Sequence, residues 1–302
     1  MNNSELTKID YIVSRAEQRD KFLRFYLPLA EVDLSVPSQY SRVETGKSWA
    51  SEELSRVQLG DRRLKKRLIH LVESLASHPT ASVPQACKSW AAIKGAYRFW
   101  DSARVKPELI RKAHQNSTVG RVRKHSTILV PQDTTDLDFT DHPSCKGLGH
   151  LDHPSQRGLK VHSALAVSLE GVPLGLVHQE VWCRDLETMG KSNQRKQRQT
   201  KDKESQRWLN ALQTSQEVIP KKIQLITIAD READIYDLFA FPRRAGAELL
   251  IRATHNRRVK HEAGYVWSAI RKSPSKGQLT IQLHRKGNQP SRQATLTVRY
   301  TT

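Results

Sequence analysis

Apolar residues recur along this chain with two different periods, and the change between them divides it. After Gly60-Asp61, Leu64, Leu68, Leu71 and Leu75 stand at helical spacing until His78-Pro79 ends the run. Asp61 has the chemistry of an N-cap, because its short carboxylate can accept from backbone N–H groups of the first turn. A second helix is predicted from about Pro84, with Ala86, Trp90, Ile93, Tyr97 and Trp100 as its buried stripe and Lys88, Lys94 and Arg98 off it. At that spacing the aromatics read as core and not as base-stacking groups. Residues 47–118 therefore read as a helical module.

From residue 126 the pattern shortens to that of strands. Thr127-Ile128-Leu129-Val130 runs into Gln132-Asp133-Thr134-Thr135, and Lys160–Leu169 and Pro173–Trp182 flank a turn at Glu170-Gly171. Residues 185–203 are polar and basic and read as a loop, either solvated or facing DNA. A helix near 203–217, a strand over Ile223–Ile228, a short helix over Ala233–Ala240 and a strand over Leu249–Ala253 follow. The rest, 257–302, alternates like strands at Leu279, Ile281, Leu283 and at Ala294, Leu296, Val298. Before all this, residues 1–46 hold an amphipathic helix candidate with Ile9, Ile12, Val13, Phe22, Phe25 and Tyr26, ending near Pro28. The fold class expected is α/β, a mixed sheet preceded by helices.

Charge narrows the partner. The 302 residues carry a formal net charge of +19 with a pI near 10.0, which points to a polyanion, nucleic acid before membrane. The excess is unevenly placed. Residues 1–46 are at −1, 47–125 at +11, 126–251 at −1 and 252–302 at +10. A near-neutral middle gripped to DNA by basic flanks has this profile. No apolar run approaches the roughly 20 residues of a membrane span, and Met1–Asp10 lacks the apolar stretch of a secretory signal. Cys87, Cys145 and Cys183 form no CxxC pair, which speaks against a disulfide framework or zinc and for a reducing, cytoplasmic setting.

Within the first basic segment Arg62, Arg63, Lys65, Lys66 and Arg67 crowd the first turns of a helix. Cations there oppose the macrodipole at a few tenths of a kcal/mol each. A bound phosphate reverses that sign, so DNA contact is the favoured reading over a solvated face.

Two carboxylates stand where apolar strands end. Asp133 follows Ile128-Leu129-Val130, and Asp230 follows Leu225-Ile226-Thr227-Ile228-Ala229. Carboxyl ends of parallel strands are where reactive groups collect, and neighbouring strands would bring the pair together. Phosphodiester chemistry uses such acids to hold two Mg²⁺ ions roughly 3.5–4 Å apart. An Asp after a strand is more often a cap, and Asp136, Asp138 and Asp141 are rivals in the first cluster.

Several blocks in one order give these features a family context. Leu59-Gly60-Asp61 with its basic tail, Gly95-Ala96-Tyr97-Arg98-Phe99, Asp133-Thr134-Thr135, Arg157-Gly158 with Val161-His162-Ser163, Leu176-Val177-His178-Gln179-Glu180, and Asp230-Arg231-Glu232-Ala233-Asp234-Ile235 are the carriers. Over about residues 48–300 the chain resembles the insertion-sequence-four family of bacterial DDE transposases, particularly the transposon-five type. The resemblance implies a helical end-recognition domain over 47–118, a ribonuclease-H-like core over 119–256 and a β-rich insertion over 257–302. It implies Asp133 and Asp230 as ligands of Mg²⁺, for which Mn²⁺ can substitute, and Arg252 near the active site. Arg62, Arg63 and Arg98, with Lys65 and Lys66 beside them, fall in blocks that bind DNA in such proteins. The partners implied are double-stranded DNA, at transposon ends and target, and a second copy of the chain, with no membrane and a nucleoid-associated location.

One departure shapes the functional expectation. The family's third acid is a glutamate on a Tyr/Arg/Glu/Lys helix after the insertion, whereas residues 253–302 hold one acid, Glu262, without such a helix. The expectation is a transposase by descent, truncated before its third carboxylate and its dimerisation helices, that binds ends without cutting them. The competing expectation is a non-catalytic end-binding protein or transposon remnant. An RNA-associated role lacks any signature.

Overall fold

The computed structural model describes residues 48–153, 155–184, 204–285, 287 and 289–300. The helix candidate in 1–46 and the basic stretch 185–203 lie outside the described residues. Five helices open the described chain: α1 (Trp49–Glu53), α2 (Arg62–Ala76), α3 (Val83–Cys87), α4 (Trp90–Trp100) and α5 (Pro107–Val122). The strands β1 (Thr127–Asp138), β2 (Gly149–His150), β3 (Arg157–Val167) and β4 (Pro173–Trp182) come next. Then follow α6 (Gln206–Val218), β5 (Gln224–Ala229), a 3₁₀ turn (Arg231–Ala233), α7 (Tyr236–Ala240), β6 (Ala247–Ile251), α8 (Val266–Lys272), β7 (Ser275–Leu283) and β8 (Arg292–Arg299).

The single helix expected from Pro84 to Trp100 is two. Ser82 and Gln85 form a capping box at the start of α3, and Lys88 then adopts a left-handed φ of 60° that breaks the run. Ser89 restarts it, accepting from Ala92 N at 3.2 Å as the N-cap of α4. Helix α2 forms as the leucine spacing predicts, with Asp61 accepting from Arg63 N at 2.7 Å. Leu68, Leu71, Cys87, Ala96, Phe99 and Ala113 form the core of the helical module, with Leu64 and Leu75 half-buried against it.

The sheet runs β2–β3–β1–β5–β6, and β4 also pairs with β3. β3 lies antiparallel to both β1 and β4, while β1, β5 and β6 are parallel. The parallel pairs need crossovers, and α6 and α7 supply chain for them. Strand β1 is longer than the expected four residues because it continues through Pro131 to Asp138 along β3. Ile128, Val130, Ala164, Ala166, Val177 and Leu225 form the sheet's core together with Ala211 of α6.

The chain divides into two compact units. One holds α1 to α7 and the six-stranded sheet; the other comprises Asp230–Asp234 and residues from Arg252 onward. The second unit contains a β7–β8 hairpin, as the alternation implies, but also α8, where only strands were expected. Val266, Trp267 and Ile270 give that short helix its apolar side, too few positions to reveal a period.

Helix α5 belongs to both cores of the first unit, through Ala113 in the helical one and Val122 in the sheet. A half-buried ionic cluster reinforces it. Arg121 grips Glu53 with two bonds of 2.6 and 3.0 Å and donates through Nε to the Leu174 carbonyl at 2.5 Å. His114 meets Glu53 at 2.6 Å and accepts from Leu176 N at 2.8 Å. Gly175 makes this approach possible, since a Cβ there would lie 2.2 Å from Thr118 Oγ1. Burial alone would raise the Glu53 carboxyl, but the hydrogen bonds from His114 and Arg121 and the Arg121 charge outweigh it and hold it at about 2.

A group whose folded-state value is depressed stabilises above its unfolded value and loses that contribution as pH falls through the folded one. Glu53→Gln should therefore cost roughly 3 kcal/mol near neutrality, the order expected for a depression of this size. The deficit should shrink as pH falls below about 4.5 and vanish towards about 2. Urea unfolding of both proteins across that range measures it, and a deficit independent of pH would contradict the assignment.

Candidate nucleic-acid interface and carboxylate positions

The basic turns of α2 are built as an exposed cationic end. Arg62, Arg63, Lys66 and Arg67 are exposed, while Lys65 folds back to donate to the Ser55 carbonyl. Arg67 lies across α4: a Cβ on Gly95 would stand 3.3 Å from its Nε, so the small residue makes room for the guanidinium. Arg98 and Lys94 are exposed on α4 itself. Arg104 stands 4.0 Å from the capping Asp61.

The aromatic stripe assigned to the core of this helix is not there. Trp90 is 77% exposed, Tyr97 51% and Trp100 45%, whereas Gly95, Ala96 and Phe99 are buried. Two stripes of α4 satisfy helical spacing, and the module packs on the one with small residues because it lets α2 come close. Tyr97 and Trp100 meet edge to face, with centroids 5.9 Å apart.

Asp133 lies in β1 opposite Ser163 of β3, which is in turn opposite Gln179 of β4. Gln179 donates to Ser163 Oγ at 3.1 Å. The residues on either side of Asp133 are tied down on the other face of the sheet. His162 is fully buried, with Thr134 Oγ1 at 2.9 Å from Nδ1 and Gln132 Oε1 at 3.3 Å from Nε2, and its ring packs edge-on to Trp208. Burial first, then the charges of His178 and Arg207, push His162 down to about 3, so it is neutral near pH 7.

The rival acids have local tasks. Asp136 pairs with buried Lys160 at 2.7 Å, and Asp138 accepts from Thr140 N at 2.9 Å and from Gln156 at 3.1 Å. Asp141 is exposed. Lys160 also meets Asp152, which reaches Arg184 and through it Glu204, so these acids sit in one ionic chain.

Asp230 follows β5 directly and caps the 3₁₀ turn, accepting from Glu232 N at 2.9 Å. The capping role that spacing left open is thus filled. Four residues on, Asp234 is buried and is the best-served carboxylate of its unit. It accepts from Thr254 N at 2.6 Å, His255 N at 2.7 Å and the Arg257 guanidinium at 2.7 and 3.0 Å. Desolvation would raise it, but the Thr254 amide, Arg257 and His255 lower it to about 2. Sequence reasoning passed over Asp234, although its place in Asp230–Ile235 was a signal. Arg252 begins the segment that Asp234 holds, and Glu262 is exposed in the turn closed by Arg258 and Tyr265.

A cleft of about 310 Å³ between α5 and β4 is lined by Arg111, Lys112, His114 and His178 among others, each already bonded, to Glu108, Gln115, Glu53 and Glu180 respectively. Among the described residues no three His, Cys, Asp or Glu side chains are grouped so as to hold a metal, and no helix is long and apolar enough to cross a membrane.

Set against known families, residues 46–105, spanning α1 to α4 and the segment leading to α5, match the transposase DNA-binding family. That match supports a transposase whose helical module has DNA as its partner.

Proposed function

We propose that this chain is a DDE transposase of the insertion-sequence-four, transposon-five type, binding transposon-end DNA through its helical module for cut-and-paste transposition. The observation that carries the reading is the exposed cationic start of α2, inside the segment matched to transposase DNA-binding domains. Its cations stand where the helix's own unpaired amides also favour an anion, so DNA phosphate resolves an otherwise unfavourable placement.

The catalytic part of the reading is supported by strand register. β1 and β5 pair in parallel up to Pro131 and Ile228, and Asp133 and Asp230 each follow that pair by two residues. Three antiparallel strands joined to parallel ones fit the ribonuclease-H-like core that the resemblance implies. Each aspartate offers hard oxygen donors of the kind that suits Mg²⁺ or Mn²⁺, and holding such an ion is the role that the resemblance implies for both. A metal held there would activate the attacking oxygen and stabilise the leaving one. Gln132 and Thr134, both bound to buried His162, fix the strand on either side of Asp133. Asp230 would help to hold the ion while its Oδ1 also accepts from Glu232 N at 2.9 Å.

Replacing Arg62 and Arg63 with alanine should weaken duplex binding and reduce the slope of log K against log salt by roughly 0.9 for every phosphate no longer neutralised. Fluorescence anisotropy over a salt series reads the slope, and an unchanged slope would mark the turn as a solvated face.

Asp133→Asn and Asp230→Asn should each lower Mn²⁺ binding to the purified chain at least about tenfold while leaving duplex affinity in EDTA unaltered. Electron paramagnetic resonance of free Mn²⁺ provides the titration. Metal binding indifferent to both substitutions would leave the DNA-binding reading standing and remove the catalytic one.

A further inference from the structure

The helical module presents more than cations. Around α4 the exposed positions run in a definite order set by the 100° step of the helix. Arg67 lies over Gly95 at one edge, Arg98 and Lys94 follow, and Trp90, Tyr97 and Trp100 complete the other edge. A basic strip thus grades into an aromatic one around the solvent side of α4. Three large rings in water are a costly way to finish a surface; two of them, Tyr97 and Trp100, meet edge to face, and Trp90 is 77% exposed.

Resting on the DNA-binding reading above, we infer that this face of α4 docks DNA bases that have left the stack. Phosphates lie on the Arg67, Lys94 and Arg98 side, and unstacked bases lie on Trp90, Tyr97 and Trp100. The argument is one of chemical complementarity. Basic groups beside apolar rings match a polyanion that carries flat apolar faces. An intact duplex hides those faces in its stack and shows only base edges in its grooves. Ring faces find partners where pairing is interrupted, as at a frayed end, a nick or a single-stranded flank. Arginine and lysine beside the rings add backbone attraction without sequence preference. The chain should therefore prefer duplexes with unpaired bases over blunt ones, a selectivity that phosphate contacts alone cannot produce.

The test uses the whole chain with two probes, a blunt duplex and the same duplex bearing a short unpaired fork, in EDTA at fixed salt. The fork should bind more tightly and quench tryptophan fluorescence more strongly. Trp90→Ala and Trp100→Ala should each reduce the fork-over-blunt preference by roughly 5- to 150-fold, the range for losing one stacked base, or to unity where the preference is smaller. Trp90→Phe and Trp100→Phe, which keep a ring, should restore most of it, and this separates stacking from damage to the module. Equal affinity of the wild type for both probes, with the usual salt slope, would overturn this inference and leave the DNA-binding reading intact. So would alanine variants that lose affinity equally for fork and blunt duplex, since the rings would then pack against intact DNA. Alanine variants with unchanged preference but impaired self-association would overturn it in favour of a contact between copies of the chain. No binding to either probe would bring down the DNA-binding reading itself.

Discussion

The carboxylate of Glu53 is where the first unit's two cores are fastened together. It belongs to α1, at the start of the helical module, yet its partners His114 and Arg121 sit on α5 and in turn hold the β4 backbone at Leu174 and Leu176. A hydrophobic contact could join the same elements, but it would not fix their register. Bidentate guanidinium geometry and a histidine bridging a carboxylate to a backbone amide do fix it. Half-buried, the cluster escapes most solvent screening without incurring the full desolvation cost of a deep ion pair. A rigid helical module matters because its cationic face can then be borne as one surface, not as separately moving helices.

Much of this architecture was legible in the sequence because its periods are clean. Leu64, Leu68, Leu71 and Leu75 announce α2, and the apolar runs before Asp133 and Asp230 announce the two strands that do pair in parallel. Failures arose where two periods coexist or where an element is too short to have one. On α4 the bulky stripe and the small stripe both repeat helically, and the sequence shows size but not which side a neighbour occupies. Gly95 was the available clue, since a glycine inside a helix is retained for close approach, here of Arg67. Strand β2 pairs through only Gly149 and His150, and α8 has seven residues, both below what periodicity resolves.

The carboxylates show the same division between pattern and partner. Spacing could nominate Asp133, Asp136, Asp138 and Asp141 equally, since each stands in or beside one polar stretch. Structure separates them by what they already do. Asp136 neutralises a lysine that is otherwise buried, and Asp138 closes a turn. Asp133 alternates to the opposite side of β1 from Gln132 and Thr134, both bound to His162. The near-neutral sum over residues 126–251 therefore conceals a set of acids matched individually to Lys160, Arg184 and Arg207. Net charge near zero in a segment does not mean that its charges are idle.

That internal matching also explains why the surplus charge falls on the flanks. Around the sheet, Lys160, Arg184 and Arg207 each already face an acid, so their charge is spoken for within the fold. A DNA grip needs the opposite, cations left without acidic partners. The two arrangements fall in different segments of the chain. The helical module carries 17 basic against 6 acidic residues over 47–125, and the acid it buries most effectively, Glu53, is spent on fastening. Affinity gained this way is blind to sequence and steep in salt. Selectivity must then come from groups that read something other than phosphate, and the large apolar groups exposed beside these cations include the three rings of α4.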